Sequence, residues 1–434
     1  MKGGFLSIII AGLSPLLILF LIVVVAGIPL VEWQPPLVWT SSFGTSPFPN
    51  GVTGVSAGTA GVFAGGFVGY DDTGRFNPSP SGLFLREYSL DGQQIWNRYI
   101  GNADDHVKSI VTNRDAVYVA GSLNLTGIVR RYDFGGNQIW SVSIGHEVDS
   151  ISVSSSEVYA AGFSYTNSTY SLFVRDYDLN GNMSWTVSLF NFTQLSPGPL
   201  NVYSGSNRVY VAGSETSGSA GFLRSYYFNG TLEWSQDSIC NCLPSGISAD
   251  ASGLYVTGYA YQGAVATAFL DKYDSNGNQI WTKNINPLDL TTVAILQMSV
   301  GPSGIYLAMT TIRSGYLLRY DSNGNQVWSF NLHKAPGTVS VGQNGVYLGG
   351  QDFYKEVSGN AFVSEFSQSS SLIFFGLNPP YSFITVGALV TGVGFTVWWL
   401  WRRAKRRPPR PKSTAPYGSP KPQADEPMWR RRPA

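Results

Sequence analysis

A short segment occurs twice in this chain almost unchanged, and it is the feature that most limits how the chain can fold. Residues 269–281 read FLDKYDSNGNQIW, and residues 316–328 read YLLRYDSNGNQVW. Each copy has a strand-like run ending in Tyr-Asp, an Asn-Gly pair typical of a tight hairpin turn, and a second run that contains a Trp. The two copies therefore predict a repeated β-hairpin.

Looser copies of this hairpin extend over most of the chain in two interleaved series. The first series consists of Trp residues 44 to 57 positions apart, namely Trp39, Trp96, Trp140, Trp185, Trp234, Trp281 and Trp328. The second consists of short apolar segments, most of which contain a Val-Tyr pair or a Gly, at 62–65, 117–121, 158–162, 209–213, 254–258, 305–308 and 346–350. Each series has seven members, and their β-branched and aromatic residues favour strands.

One repeat can be divided into four short strands, which we label a to d in chain order. In the second repeat these strands are expected at 107–111, 116–120, 128–132 and 138–142. Four strands in about 47 residues, repeated along a chain, are typical of a β-propeller blade. Residues 37–367 resemble the Trp-containing propeller repeats of bacterial and archaeal surface proteins and, more distantly, the quinoprotein-like propellers. This resemblance implies a fold and says little about function.

The ends of the repeat array predict how the propeller closes. The last repeat has strands a, b and c, but no Trp strand follows Phe366, whereas the first Trp strand, 37–41, precedes any strand a. The N-terminal strand would then complete the last blade, which removes an exposed sheet edge. We therefore expect an all-β, seven-bladed propeller closed by its N-terminal strand. An eighth blade would need a repeat that the sequence does not contain.

The segments on either side of the repeats are predicted to reach or cross a membrane. Residues 1–31 are apolar over a length that can span a bilayer, and they fit either a cleaved signal peptide or a retained anchor. Residues 381–401 are a second apolar segment, and the basic cluster 402–407 follows directly, which indicates a transmembrane helix with its C-terminal side in the cytoplasm. Residues 368–380 would be a linker, and the Pro-rich basic segment 402–434 a disordered cytoplasmic tail.

The distribution of charge and of Asn residues is consistent with an extracytoplasmic propeller. The tail has eleven Lys or Arg residues against Asp425 and Glu426, so the rest of the chain is acidic, which argues against nucleic-acid binding. Five Asn-x-Ser/Thr sequences are candidate glycosylation sites. They begin at Asn124, Asn167, Asn182, Asn191 and Asn229. We expect a protein of the cell membrane whose partner, besides the membrane, is a protein or a glycan.

The lengths of the connections distinguish the two ends of the propeller. The a–b and c–d connections are short, whereas the b–c and d–a connections include long loops at 66–81, 188–205 and 285–294. Long loops on a rigid scaffold commonly carry recognition, so function is expected at that end. Both apolar flanking segments would join at the opposite end.

Two polar clusters follow Ile-Gly pairs in adjacent repeats and form the candidate metal site. They comprise Asp104, Asp105 and His106 in one repeat and His146, Glu147 and Asp149 in the next, with Asp71 and Asp72 of the first b–c loop as further candidates. Equivalent positions in neighbouring blades would lie side by side near the channel mouth, where His and carboxylate groups can bind a divalent metal. The alternative is that these are solvated loop residues.

Three other features each allow a structural and a functional interpretation. The Asp-x-Asn-Gly-Asn sequences that begin at Asp178, Asp274 and Asp321 are faintly similar to a calcium loop, but no Glu stands at the twelfth position, and Asn-Gly favours a hairpin turn. The repeated Trp could stack on sugars but is more simply a packing residue. Cys240 and Cys242 are too few for a zinc site, which leaves a local disulfide or no special role.

No motif of a known catalytic class occurs in the chain. There is no Gly-x-Ser-x-Gly, His-Glu-x-x-His or phosphate-binding loop, and the chain has only three His. The distant resemblance to quinoproteins raises a quinone-dependent dehydrogenase, but no residue pattern indicates its cofactor, so we expect none. We expect a binding or scaffold module. The alternatives are an extracytoplasmic metal-dependent or hydrolytic enzyme and an accessory subunit of a membrane complex.

Overall fold

The computed structural model describes only part of the chain, and that part is all β. The described residues are 32–34, 36–44, 50–68, 82–101, 105–193, 198–215, 220–262, 265–285, 293–311, 314–352, 360–368 and 371–373. The N-terminal segment 1–31, the predicted span 381–401, the tail, most of the predicted linker, and Asp71, Asp72 and Asp104 lie outside these ranges. Within these ranges no helix is long and apolar enough to span a membrane.

The strands are numbered in chain order. They are β1 Glu32–Gln34, β2 Leu37–Phe43, β3 Asn50–Ala57, β4 Val62–Val68, β5 Gly82–Tyr88, β6 Gln94–Tyr99, β7 His106–Thr112, β8 Val117–Leu123, β9 Thr126–Tyr132, β10 Gln138–Ser143, β11 Glu147–Val153, β12 Glu157–Thr166, β13 Thr169–Asp178, β14 Met183–Phe192, β15 Leu200–Ser204, β16 Arg208–Ser214, β17 Ala220–Tyr227, β18 Leu232–Asp250, β19 Gly253–Gln262, β20 Val265–Tyr273, β21 Gln279–Ile285, β22 Val293–Gly301, β23 Gly304–Thr311, β24 Gly315–Tyr320, β25 Gln326–Asn331, β26 Ala335–Val341, β27 Gly345–Asp352, β28 Asn360–Ser367 and β29 Ser371–Ile373.

These strands form antiparallel sheets in which neighbours in sequence pair with each other. Sheet 1 is β3–β6, sheet 2 is β7–β10, sheet 3 is β11–β14, sheet 6 is β22–β25, and sheet 7 is β26, β27, β28 and β2. Sheets 4 (β15–β18) and 5 (β18–β21) share β18, whose first part is strand d of sheet 4 and whose last part is strand a of sheet 5. The division into four-stranded repeats is therefore confirmed for the described residues.

The hydrophobic core lies between successive sheets. Strands b, such as Val117–Leu123, are almost entirely buried, because both faces of the sheet pack against a neighbour, and this explains their continuous apolar sequence. Between sheets 2 and 3, for example, Tyr118 and Val129 pack with Ile151 and Phe173. Strands a contact one another in series, and β26 also contacts β3.

The Trp of strand d packs under the c–d turn of the next sheet. Trp140 donates its Nε1–H to Leu179 O at 2.9 Å, and a Cβ on Gly181 would come within 3.0 Å of the Trp140 ring. Equivalent bonds of 2.8–3.0 Å join Trp39 to Leu90, Trp96 to Phe134, Trp185 to Phe228 and Trp234 to Ser275. The geometry supports the packing interpretation of the Trp series.

The Asp-x-Asn-Gly-Asn segments are hairpin turns, as the Asn-Gly pairs predicted. In the turn at 178–182, only Gly181 has a positive φ, at +87°, and Asn180 does not. Asp178 Oδ1 accepts hydrogen bonds from the backbone N–H groups of Asn180 and Asn182, both at 2.8 Å. These bonds hold the backbone of Asn180 at a negative φ. Asn182 Nδ2 donates to Asp178 Oδ2 at 2.8 Å and lowers the pKa of that carboxyl. Both carboxylate oxygens thus bind within the turn.

Sheet 7 brings together the two ends of the described chain. β2 pairs with β28, with Trp39 opposite Glu365, and β1 pairs with β29, with Trp33 opposite Leu372. Since β28 and β2 are separate segments, no c–d turn joins them. Trp328 of sheet 6 is only 4% exposed, and its Nε1 has no hydrogen-bond partner, because the turn that accepts this bond elsewhere is missing here.

Hydroxyl groups join the innermost strands. Backbone N–H groups on the free inner edge of a sheet need acceptors, and Ser side chains of the preceding strand a supply several of them. Ser56 Oγ accepts from Thr112 N at 3.0 Å, and Ser152 Oγ accepts from Ser204 N at 2.9 Å. Ser340 and Ser299 serve Ala57 N and Val341 N in the same way, at 3.2 and 3.0 Å.

Candidate functional site

The b–c and d–a connections meet at one end of the sheets, which we call the long-loop end, and the a–b and c–d turns meet at the tight-turn end. The long-loop end is less uniform than the sequence implied. Its connections in sheets 2 and 3 include two-residue turns, Asn124-Leu125 and Asn167-Ser168, with φ between +48° and +60°. Strand β14 extends to Phe192, so the predicted loop 188–205 is shorter than expected. No loop separates the two halves of β18.

A cavity of about 580 Å³ lies at the long-loop end, where strands a begin. Its polar lining includes Thr53, His106, Lys108, Ser245 and Gln297. A second cavity of about 340 Å³ is lined by residues of strands a from every sheet, many of them Ser. The Gln297 side chain belongs to both linings, which places it between the mouth and the central channel.

β-Bulges in strands a position several of the side chains at this mouth. The pairing of strands a and b shifts register at Thr53, Lys108, Asp149 and Ser245, each of which is the extra residue. A bulge re-aims the side chain of the extra residue and leaves that residue without a ladder partner. Thr53 Oγ1 donates to Val107 O in the neighbouring sheet at 2.7 Å.

Lys108, Glu147 and Asp149 form a charged cluster across strands β7 and β11. Lys108 Nζ lies 2.7 Å from Glu147 Oε1. Burial lowers the pKa of Lys108, but its hydrogen bond with Glu147 and the two nearby negative charges outweigh this and raise the pKa. Burial raises the pKa of Asp149 to about 7, against the opposing effects of Lys108 and of the Leu200 N–H, which donates to it. Asp149 still keeps some contact with solvent.

The structure distributes the other candidate metal ligands among different local roles. Asp105 is 2% exposed, and its Oδ1 accepts the Asn124 N–H at 2.8 Å, so it stabilises the β8–β9 turn. His106 is exposed at the start of β7, and the His146 ring packs against Phe163 at 5.6 Å. Among the described residues, which exclude Asp104, no three or more His, Cys, Asp or Glu side chains come together as a metal site.

An aromatic patch next to this cluster was not predicted from the sequence. It consists of His146, Phe163, Tyr165, Tyr170 and Phe192, and successive rings lie 4.5–6.3 Å apart. The patch exists because β12, β13 and β14 each extend over ten residues at the long-loop end. The alternating aromatic residues on both sides of Asn167-Ser168 are the sequence signal that could have revealed it.

The candidate glycosylation sites are exposed and lie at both ends. Asn124 and Asn167 occupy the two-residue turns at the long-loop end, and Asn191 lies near the end of β14. Asn182 and Asn229 lie in c–d turns. Because Asn182 Nδ2 is the atom that a glycan would modify and it already binds Asp178, Asn182 is the least favourable of the five sites.

Cys240 and Cys242 are joined by a disulfide with their Cα atoms 5.2 Å apart. The bridge lies in the middle of β18, where Cys240 pairs with Gly221 of sheet 4 and Cys242 with Ala260 of sheet 5. Cys242 is fully buried. The disulfide therefore marks the point where one strand passes from one sheet to the next.

Comparison with solved structures identifies the fold. The chain is similar to hydrazine synthase of Kuenenia stuttgartiensis, at 10% identity and a TM-score of 0.54 over 77% of this chain and 98% of that one. It is also similar to BamB from Moraxella catarrhalis (13% identity, TM-score 0.45, 77% and 98% covered) and to the Dos1 propeller (10%, 0.45, 78% and 96%).

No protein-family model matches the chain, and no curated protein matches it in sequence. The likeness to hydrazine synthase is therefore one of fold alone. Together with the repeated four-stranded sheets, it identifies the chain as a β-propeller repeat protein.

Proposed function

We propose that the chain is a membrane-anchored extracytoplasmic protein whose seven-bladed propeller binds a surface partner, protein or glycan, through its long-loop end. The observation that carries this proposal is the aromatic patch beside the mouth cavity. Tyr165 is 46% exposed at the tip of an extended hairpin, and rigidly held aromatic side chains with a polar surround are typical of recognition sites. The ring would be closed by β2, which is supported by its pairing with β28 and by the contact of β26 with β3.

The pairing of β1 with β29 supports the orientation of the propeller. Glu32 lies opposite Ile373, so the chain enters and leaves the sheets at one place, next to the tight-turn end. The apolar segments 1–31 and 381–401 would anchor that end to the membrane. The long-loop end, with the aromatic patch and three of the candidate glycosylation sites, would then face away from the bilayer.

Co-purification of the full-length protein in mild detergent, followed by glycan-array screening of the same preparation, tests this function. We expect Tyr165→Ala to weaken capture of the partner by about tenfold, as loss of an aromatic anchor usually does. Ile280→Ala is the matched control, since Ile280 is 54% exposed on strand d of sheet 5, away from the patch. Equal effects of the two substitutions would place recognition elsewhere.

The alternatives make different predictions for the same preparation. An extracytoplasmic metal-dependent or hydrolytic enzyme at the channel mouth would hold a stoichiometric metal that is lost when His106 and Glu147 are changed to Ala. An accessory subunit of a membrane complex would co-purify with a fixed membrane protein partner and no glycan. The positively charged Lys108 side chain already pairs with Glu147, one of the candidate metal ligands. This favours the binding module over the metal enzyme.

A further inference from the structure

Two carboxyl groups meet in sheet 3 near the tight-turn end without a basic partner. Asp176 on β13 is 2% exposed, and its carboxyl group hydrogen-bonds with Glu157 of β12 and with the Ser184 hydroxyl of β14. In the described part of the chain, no ion pair includes either carboxylate. Burial, followed by the nearby charge of Glu157, raises the pKa of Asp176 to about 7. Placing two such groups together without compensation is unfavourable.

Three buried oxygens at this point have no hydrogen-bond partner. They are Asp176 Oδ1, Glu157 Oε2 and Tyr159 Oη. Tyr159 is completely buried and lies directly opposite Asp176 across the β12–β13 ladder. Burial and the charges of Asp176 and Glu157 raise the pKa of Tyr159. Buried polar atoms are normally satisfied, so three unpaired oxygens at one point favour a bound water or ion there.

Equivalent positions in sheet 4 hold a positive charge. Arg208 takes the place of Glu157, Ser225 that of Asp176, and Glu233 that of Ser184. The Arg208 guanidinium binds Glu233 with two hydrogen bonds, one of them from Nη2 to Oε1 at 2.6 Å. Here the chain itself supplies the cation that sheet 3 lacks.

Three further sheets place a basic residue at the strand-c position of Asp176. Arg131 Nη1 donates to Leu179 O at 2.8 Å, Lys272 Nζ to Ser322 O at 3.0 Å, and Arg319 Nε to Ser303 O at 3.0 Å. Sheets 1 and 7 have a single acid there, Glu87 and Glu365. Among the described sheets, only sheet 3 combines two carboxylates at this location.

We propose that Glu157, Asp176 and Tyr159 bind a divalent cation, and that this cation is Ca²⁺. The Ser184 hydroxyl would lie on the side of the ion that faces solvent. All four side chains offer oxygen, which is the ligand that Ca²⁺ prefers, and two carboxylates balance its charge. Ser184 is exposed and Glu157 is partly exposed, so an ion and its remaining water ligands can enter from solvent. The ion would take the position that the Arg208 guanidinium occupies in sheet 4. The site lies at the opposite end from the aromatic patch and is independent of the function proposed above.

Calcium titration of the EDTA-treated full-length protein in mild detergent tests this site. We expect the unfolding temperature to rise with CaCl₂ concentration, as it does for any ligand of the folded state, and calorimetry to report one site. Asp176→Asn should lower Ca²⁺ affinity on the order of tenfold or more, because one of two charged ligands is lost. Glu87→Gln, at the same position in sheet 1, should leave the titration unchanged.

A second variant keeps the test informative if Asp176→Asn folds poorly. Glu157→Arg places an Arg at the position that Arg208 occupies in sheet 4, where it can pair with Asp176. This variant should fold without calcium and show no response to CaCl₂. A wild-type protein whose unfolding temperature is insensitive to CaCl₂ and MgCl₂, or an Asp176→Asn protein that responds like wild type, would overturn the proposal. If the carboxyl pair merely shares a proton, Asp176→Asn will be more stable than wild type at pH 8 and calcium will have no effect on either protein.

Discussion

At the scale of single residues, the electrostatics of the channel mouth depend on which of its side chains are charged at a given pH. Asp149 is the clearest case. Its carboxyl group lies mostly within the protein, and burial raises its pKa to about 7 although Lys108 lies nearby. The folded protein therefore binds a proton at Asp149 over a pH range in which the unfolded chain, with an ordinary Asp, has released it. Stability must fall as the pH rises through this range.

We predict that Asp149→Asn stabilises the protein above pH 7 and has little effect near pH 4. Asn keeps the acceptor for the Leu200 N–H and removes the charge that is unfavourable when buried. The gain should begin above the pKa of the unfolded Asp, about 4, and level off near pH 7 at about 1–3 kcal/mol. Urea unfolding at several pH values measures it. A gain that is the same at pH 4 and pH 8 would show that charge is not its cause.

At the scale of elements, each c–d turn serves two sheets, because it closes one hairpin and covers the Trp of the preceding sheet. In the turn at 133–137, Gly136 has a φ of +77°, and an added Cβ would come within 3.1 Å of the Trp96 ring. Trp96 donates its Nε1–H to the neighbouring Phe134 O at 2.8 Å. The positive φ and the close contact with Trp96 thus both require a Gly at position 136.

We predict that Gly136→Ala destabilises the protein by about 2 kcal/mol, from the left-handed backbone and from the lost fit against Trp96. Gly135→Ala, one residue earlier in the same turn, is the control. Gly135 does not have a positive φ, and the atoms nearest to its added Cβ would be side-chain atoms of Asp133 and Asn137. Chemical denaturation of both variants makes the comparison. Equal losses of stability in the two variants would contradict the roles assigned to the positive φ and to the Trp96 contact.

The elements also show what could be read from the sequence and what could not. The spacing of the Trp residues and the Asn-Gly turns predicted the strands and their four-stranded grouping, because local propensity and burial agree there. The aromatic patch was missed because it depends on how far β12 and β13 continue past the core, which alternation alone does not fix. The Lys108–Glu147 pair was missed because a bulge re-aims Lys108 toward the next sheet, and neighbouring sheets determine such pairs.

At the scale of the whole molecule, the arrangement depends on contacts between the two ends of the described chain. β2 supplies the outer strand of sheet 7, more than 300 positions from its partner β28 in the sequence. We expect such a contact to form late in folding, since a long loop must close before it is made. The β1–β29 pair adds a second link at the same place.

We predict that Trp33→Cys with Leu372→Cys forms a disulfide under mild oxidation, because these residues are directly opposite in the β1–β29 register and such pairs allow a disulfide. The bridge closes a loop of about 340 residues and should raise stability by about 3–5 kcal/mol. A Trp33→Cys, Asn50→Cys protein is the control, as no strand pairing joins these two positions. Mobility on non-reducing gels and thermal unfolding give the result, and failure of the first pair to oxidise would contradict the register.

Strand β18 has a mechanical consequence for the whole propeller. It passes from sheet 4 into sheet 5 without a connecting loop, and the Cys240–Cys242 bridge lies at the crossing. At the described junctions 144–146 and 332–334, a short segment outside the strands separates the neighbouring sheets. Sheets 4 and 5 instead share one continuous strand, so we expect them to tilt together. A force applied to sheet 4 is thereby passed to sheet 5, and any widening of the channel has to occur at the other junctions.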